Sequence, residues 1–244
     1  MRIIDVNCDL GEGVVGEALL MPYISSCNIA CGGHFGTKDT IDETIELAIK
    51  NKVKIGAHPS FPDQTNFGRK ILNISAHDLK KSIQSQLELI AQRLEIFNVK
   101  MHHIKAHGAL YNLIAKDIDA ATNYINSIER FTKGVCVYVP YNSAIEKVAK
   151  ERGINIKYEA FADRNYNTDM SLVSRSNKNA VISNPSVVFN HIRQMIENEK
   201  VLTIDKVLVS IKADTFCIHG DHKNALEILK EITRLLKKQN IQIA

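Results

Sequence analysis

Two hydrophobic periods alternate along the chain. Short apolar or alternating runs at residues 2–7, 23–31, 53–57, 103–107, 134–140, 154–161 and 214–218 have the length and β-branched content of strands. Between them, apolar residues recur at spacings of three and four. The clearest stripes are Ile41, Ile45, Leu47 and Ala48 in a helix over 38–51, and Leu79, Ile83, Leu87, Ile90, Leu94 and Phe97 in a helix over 75–97. Ser75 followed by Asp78 predicts a capping box at the start of the second helix. Further helices are expected after Gly108, over 117–131 and 143–152, from Asn184-Pro185 onward, and at the C-terminus with Ala225, Ile228, Leu229, Ile232 and Leu235 inward. Gly134–Pro140 is the most continuous apolar run, as a strand covered on both faces of a parallel sheet would be.

Strand–helix alternation without an obvious hairpin signal argues for an α/β fold with a parallel sheet. An open doubly wound sheet and a closed barrel fit the alternation equally well. The polar residues separate them. Asp9 and Glu12, His34, His58, Lys105 and His107, Asp163 and Arg164, and His219 and Asp221 all fall at the C-terminal ends of predicted strands. In an open sheet only the strands beside the switch point feed one crevice, whereas in a barrel every strand end meets at one mouth. The expectation is an irregular (β/α) barrel of about seven strands, formed as a single domain over residues 1–244.

Composition narrows the partners. Of 244 residues, 45% are hydrophobic and 24% charged, and a net charge of +4 spread along the chain gives no footprint for nucleic acid. No apolar run reaches membrane-spanning length and the first residues lack a signal-peptide core, so a cytoplasmic location is expected. Five cysteines without a Cys-x-x-Cys pair, all within strand-like runs, predict buried reduced thiols.

The candidate chemistry centres on His103-Ile-Lys-Ala-His-Gly108. Strand alternation places His103, Lys105 and His107 on one face, and Gly108 ends the strand. Taken alone, such a strand end could simply be solvated. Asn7, Asp9 and Glu12 put an amide and two carboxylates around a Gly-bracketed turn, which suits acid/base or cation-binding work or an ordinary Asp/Gly turn. Gly32-Gly33-His34-Phe35-Gly36 before a helix could cradle an anion, but Gly36-Thr37-Lys38 breaks the P-loop order. The adjacent Asp163 and Arg164 could bind a polar ligand or pair with each other, and the polar residues 165–184 look like a long loop or lid.

Asp5-Val-Asn-Cys-Asp-Leu-Gly-Glu12, Asn28-Ile-Ala-Cys-Gly32, Lys105-Ala-His-Gly-Ala-Leu-Tyr-Asn112, Phe161-Ala-Asp-Arg164 and Asp214-Thr-Phe-Cys-Ile-His-Gly-Asp221 closely resemble the LamB/YcsF family, in order and over nearly the whole chain. The resemblance implies a barrel related to glycoside hydrolases and polysaccharide deacetylases. It also implies ATP-dependent opening of 5-oxoproline to glutamate together with two partner subunits, ATP being used by the complex. The resemblance marks positions rather than roles; from the chemistry it implies, Asp9, Glu12, Lys105 and His107 are taken as catalytic candidates, and Asn7, His34, His58, Arg69, Asp163, Arg164, His219 and Asp221 as substrate-binding candidates. In the chemistry so implied, Lys105, Arg164 and Arg69 would meet phosphate or carboxylate, and Asp9, Glu12 and His107 would move protons. His34, His58, His219 and Asp221 would orient substrate or hold a divalent ion, although a tightly bound metal is not expected. The chain departs from the usual family pattern at Gly33 for Phe, Phe35 for Ala, Thr37 for Asp, Ser60 for Gly and Ala106 for Pro. A metal-dependent carbohydrate deacetylase or amidohydrolase, and a non-catalytic ligand-binding subunit, are the competing readings.

Overall fold

The computed structural model describes residues 2–244. Seven parallel strands close into a barrel: β1 (Arg2–Leu10), β2 (Ser26–Ala30), β3 (Lys54–His58), β4 (His103–Ile104), β5 (Cys136–Pro140), β6 (Ile156–Phe161) and a last staple, Thr215–Cys217, that pairs with both β6 and β1. Helices α1 (Glu17–Leu20), α2 (Lys38–Asn51), α3 (Ala76–Ile96), α4 (Gly108–Lys116), α5 (Ile118–Ile128), α6 (Ala144–Glu151), α7 (Pro185–Asn198) and α8 (Ala225–Lys238) complete the chain. None is long and apolar enough to cross a membrane.

Why these strands close rather than lie open is visible in their two faces. Val6, Cys8 and Leu10 alternate with Asp5, Asn7 and Asp9 in β1, and both sets are buried. The apolar set faces the helices. The polar set faces the barrel axis, where Asp5 accepts from Ser26 (2.8 Å) and Thr215 (2.7 Å), and Asn7 donates to Thr215 (2.8 Å). Asn28 donates to both Asn7 (2.8 Å) and Asp9 (2.7 Å), and its own Oδ1 meets His103 Nε2 at 2.6 Å. Barrels are ordinarily filled by branched apolar side chains. This one is filled by a hydrogen-bonded polar network, which is tolerable only because its members find partners. Gly56 makes room for it: a Cβ there would lie 2.2 Å from His103 Nε2.

Three features depart from the sequence reading. The segment after α7 folds into an antiparallel hairpin, β7 (Lys200–Leu202) with β8 (Leu208–Ser210), in a chain whose sequence predicts no hairpin. Its turn is built on Lys206 at φ 65° rather than on glycine, so the usual signal is missing. With these two strands counted, the barrel's last staple is β9 (Thr215–Cys217), and it is not the chain's last strand. A tenth, β10 (Ile241–Ile243), pairs in parallel with the start of β1. Finally, Ser75 caps α3 by accepting from Asp78 N–H, but Asp78 returns its carboxylate to the Ser75 hydroxyl and not to the backbone. The complete capping box is at α2, between Thr37 and Thr40.

Candidate functional site

Ladder pairing of β4 stops at Ile104, yet the chain continues extended: Lys105 N–H donates to Ala57 C=O and His107 N–H to Pro59 C=O, each at 2.9 Å. His103, Lys105 and His107 therefore share the inner face, and all three are buried, which removes the solvated-strand-end alternative. Gly108 ends the extension at φ 56°, and a Cβ there would sit 2.6 Å from the Gly68 carbonyl oxygen. Only glycine meets both demands.

Lys105 is 1% exposed. Its ammonium lies 2.8 Å from Asp9 Oδ1, 2.9 Å from Glu159 Oε1, 3.1 Å from Cys217 Sγ and 3.3 Å from Asn7 Oδ1. Burial alone would lower the lysine's pKa. The surrounding negative charge, Asp9 foremost, outweighs burial and holds it well above its ordinary value. Asp9 behaves reciprocally: burial pushes it up, but His58 and Lys105 bring it well below the usual carboxylate range. At Glu12 the one opposing charge, Arg69, is outweighed. Burial, then Asp9, Asp221 and Glu17, drive its carboxyl well above the ordinary value, favouring the protonated acid. Two carboxyl groups of opposite tendency in one site are the arrangement acid/base chemistry uses.

Three imidazoles surround them. His34 and His107 stack with ring centroids 3.6 Å apart, and Phe67 packs edge-on against both. His34 Nε2 reaches Glu12 Oε1 at 2.9 Å. Burial and neighbouring His58 lower His34 to about 3, and burial with His58 and His34 holds His107 well below its ordinary value, so both rings are neutral near pH 7. On the opposite wall Asp163 pairs with His219, through Nδ1 at 2.9 Å and the backbone N–H at 2.9 Å. These contacts overcome the upward push of burial and take Asp163 to about 2.

A cavity of about 430 Å³ opens above this floor at the C-terminal ends of the strands. Of the candidates read from sequence, Asp9, Glu12, His58, Arg69, Lys105, His107, Arg164, His219 and Asp221 line it. Asn7, His34 and Asp163 do not; they stand behind the wall and bond to residues that do. Asp163 and Arg164 do not pair with one another. Arg164 instead donates to Ala180 C=O (3.2 Å) and Val173 C=O (2.6 Å), fastening the 165–184 loop over the cavity. Asp221 is engaged by Arg69 and, at 3.5 Å, by Arg175 at the rim.

Several contributors escape the sequence reading. Glu159 on β6, two strands along from β4, supplies the second carboxylate on Lys105. Glu17 carries the turn that presents Glu12: its carboxylate accepts from the backbone N–H of Gly11 (2.7 Å), Glu12 (3.0 Å) and Val14 (3.0 Å). The departures at Gly33 and Ser60 belong together, since a Cβ at 33 would fall 2.3 Å from Ser60 Oγ and 2.4 Å from Gln86 Oε1. Phe35, in turn, fills the space over Gly13, where a Cβ would lie 2.5 Å from its ring. The five cysteines are free, four buried and Cys136 half-buried.

Known proteins share this whole architecture. A lactam utilization protein from Thermus thermophilus superposes with a TM-score of 0.91 at 30% identity, covering 100% of this chain and 99% of that one. The A subunit of 5-oxoprolinase from Campylobacter jejuni (strain NCTC 11168) is 38% identical over 245 residues, 98% of this chain and 96% of that protein. Its namesake from Alkaliphilus metalliredigens is 37% identical over 250 residues, 100% and 97% respectively. The profile of the LamB/YcsF family matches residues 4–244. With the match spanning the barrel and every strand end that builds the cavity, the chain belongs to the LamB/YcsF family.

Proposed function

We propose that this chain is the A subunit of an ATP-dependent 5-oxoprolinase, opening 5-oxo-L-proline to L-glutamate as ATP goes to ADP and phosphate, in a complex with two other subunits. The observation that carries this reading is end-to-end similarity to proteins of that name over a small cavity with cations at its rim and acid/base groups at its floor.

The chemistry asks for what the cavity holds. A lactam is a resonance-stabilised amide. Transfer of the ATP γ-phosphoryl group to its carbonyl oxygen activates the ring carbon, and one water adds there. Collapse of the adduct breaks the C–N bond to leave an acyl phosphate, and a second water releases phosphate and glutamate. Arg69 and Arg175 at the rim suit the substrate carboxylate. The lactam ring then points to the floor, where the Lys105 ammonium faces charge gathering on the carbonyl oxygen. Glu12, held as the acid, donates a proton to the departing ring nitrogen. Asp9, His58 and His107 form the wall beside which the attacking water would sit. The chain carries no Walker A sequence, which is why ATP use is assigned to the complex.

The test is reconstitution. The purified chain with 5-oxoproline and ATP should release no glutamate, and adding the two cognate subunits should yield glutamate and phosphate in equal amounts. Turnover by the chain alone removes the need for partners, and a silent complete complex removes the substrate.

A further inference from the structure

The hydrogen bonds on the outer side of two histidines determine what their inner sides carry. His58 Nδ1 lies 2.8 Å from Lys105 C=O, and His107 Nε2 lies 3.0 Å from Phe67 C=O. A carbonyl oxygen only accepts, so each of these outer nitrogens bears the ring's proton. With both rings neutral, the inner nitrogens, His58 Nε2 and His107 Nδ1, are lone pairs that face each other at 2.9 Å. Asp9 Oδ2 is 3.4 Å from the same His58 nitrogen. Its sister oxygen Oδ1 is tied to Lys105 (2.8 Å) and Asn28 (2.7 Å), which fixes the carboxylate's direction. Three donor atoms with no proton among them converge within 4.8 Å, and the three residues line the cavity.

From this geometry we infer that Asp9, His58 and His107 form a binding site for a divalent transition-metal ion with an open position toward the cavity. Two imidazole nitrogens and one carboxylate oxygen suit zinc, cobalt or manganese, and three protein ligands leave room for water or a substrate oxygen. Each ligand is already oriented by an outer hydrogen bond, to a backbone carbonyl for the imidazoles and to Asn28 and Lys105 for the carboxylate. An ion here neutralises the facing lone pairs, which the protein otherwise relieves either by adding a proton that makes one ring an imidazolium or by breaking a carbonyl contact. Such an ion could polarise a bound carbonyl or lower the pKa of bound water. The site does not depend on the lactam reading, because ion binding is measured without substrate or partner subunits.

The experiment uses the full chain stripped with chelator. Calorimetric titration with Zn²⁺ should give one equivalent at sub-micromolar Kd, and Co²⁺ should give the visible absorption of a four- or five-coordinate ion. Saturating Zn²⁺ should raise Tm by about 5 °C or more. His58→Ala and His107→Ala should each weaken binding by roughly 100-fold, while His77→Ala, on the exposed side of α3, should change nothing. Absence of stoichiometric binding by the wild-type chain below about 10 μM overturns the site and leaves a proton-bridged imidazole pair. Unchanged stoichiometric binding in both the His58→Ala and His107→Ala proteins places the ion elsewhere and overturns it equally.

Discussion

Replacing Lys105 by methionine tests whether this residue is part of the scaffold as well as the site. From sequence, a strand-end lysine facing a cavity should be removable at a cost to turnover of roughly 10²–10³ with the fold intact. Its surroundings give a different answer. Methionine matches the stem but removes the one cation between Asp9 (2.8 Å) and Glu159 (2.9 Å), both buried. Breaking a buried pair by deleting one partner costs about 3–5 kcal/mol. An independent route reaches a similar figure. A stranded carboxylate can escape by taking up a proton, and for a group of ordinary pKa near 4 that costs about 1.4 kcal/mol per pH unit, or roughly 4 kcal/mol at pH 7. Lys105→Met should therefore lose about 3–5 kcal/mol, a fall in Tm of about 6–20 °C for a chain of this size. Because protonation is the escape, the deficit should shrink by about 1.4 kcal/mol for each pH unit between 7 and 5. Adding Glu159→Gln should restore part of it, since one carboxylate is then neutral. Urea unfolding of the wild type, both single variants and the double variant, in chelator at pH 7, 6 and 5, makes the measurement. A Lys105→Met protein within about 1 kcal/mol of wild type at pH 7, or a deficit independent of pH, would refute the reasoning.

Asp163 gives an acid-side test: its pKa falls from an ordinary 3.8 to about 2 on folding, so its stabilising effect is complete above pH 3.8 and is lost as pH falls toward 2. The difference corresponds to about 2 kcal/mol, and Asp163→Asn should flatten the stability profile between pH 4 and 2 relative to wild type in urea titrations; parallel profiles would dismiss the Asp163–His219 pair as a contributor. Gly56→Ala puts a methyl 2.2 Å from His103 Nε2 and should cost about 1–3 kcal/mol by overpacking, seen as a lower unfolding midpoint. A wild-type midpoint would show that the barrel axis is looser than these contacts imply.

How far the sequence reaches depends on which physical rule each residue obeys. Period-two alternation is a local rule, so Asp9, Lys105 and His107 can be placed on an inward face from their own neighbours alone. The barrel follows from the same rule, because polar residues recur at six of the seven predicted strand ends. The span of α2 is equally legible from the stripe of Ile41, Ile45 and Ala48, although its stop, Lys52 at φ 59°, carries no glycine signal. Period two does not say how far along the axis a residue sits. Asn7, His34 and Asp163 read as substrate contacts in the sequence, but each lies one layer behind the cavity and acts on a residue that lines it.

Pairing across the barrel obeys no local rule, and that is where the sequence falls silent. Glu159 sits in Ile156-Lys-Tyr-Glu-Ala-Phe161, where a lone acid among apolar residues resembles an ordinary half-exposed strand position. Nothing near it in sequence announces a lysine 54 positions earlier as its partner (159 − 105), because that contact exists only once β4, β5 and β6 are laid side by side. Adjacency misleads in the opposite direction at Asp163-Arg164. The pair lies in the bend just past the end of β6, where the acid turns to His219 in the wall while the arginine reaches up into the 165–184 loop. Non-local packing also explains Gly33 and Ser60, separate oddities in sequence that become one fitted contact when the loops after β2 and β3 pack together.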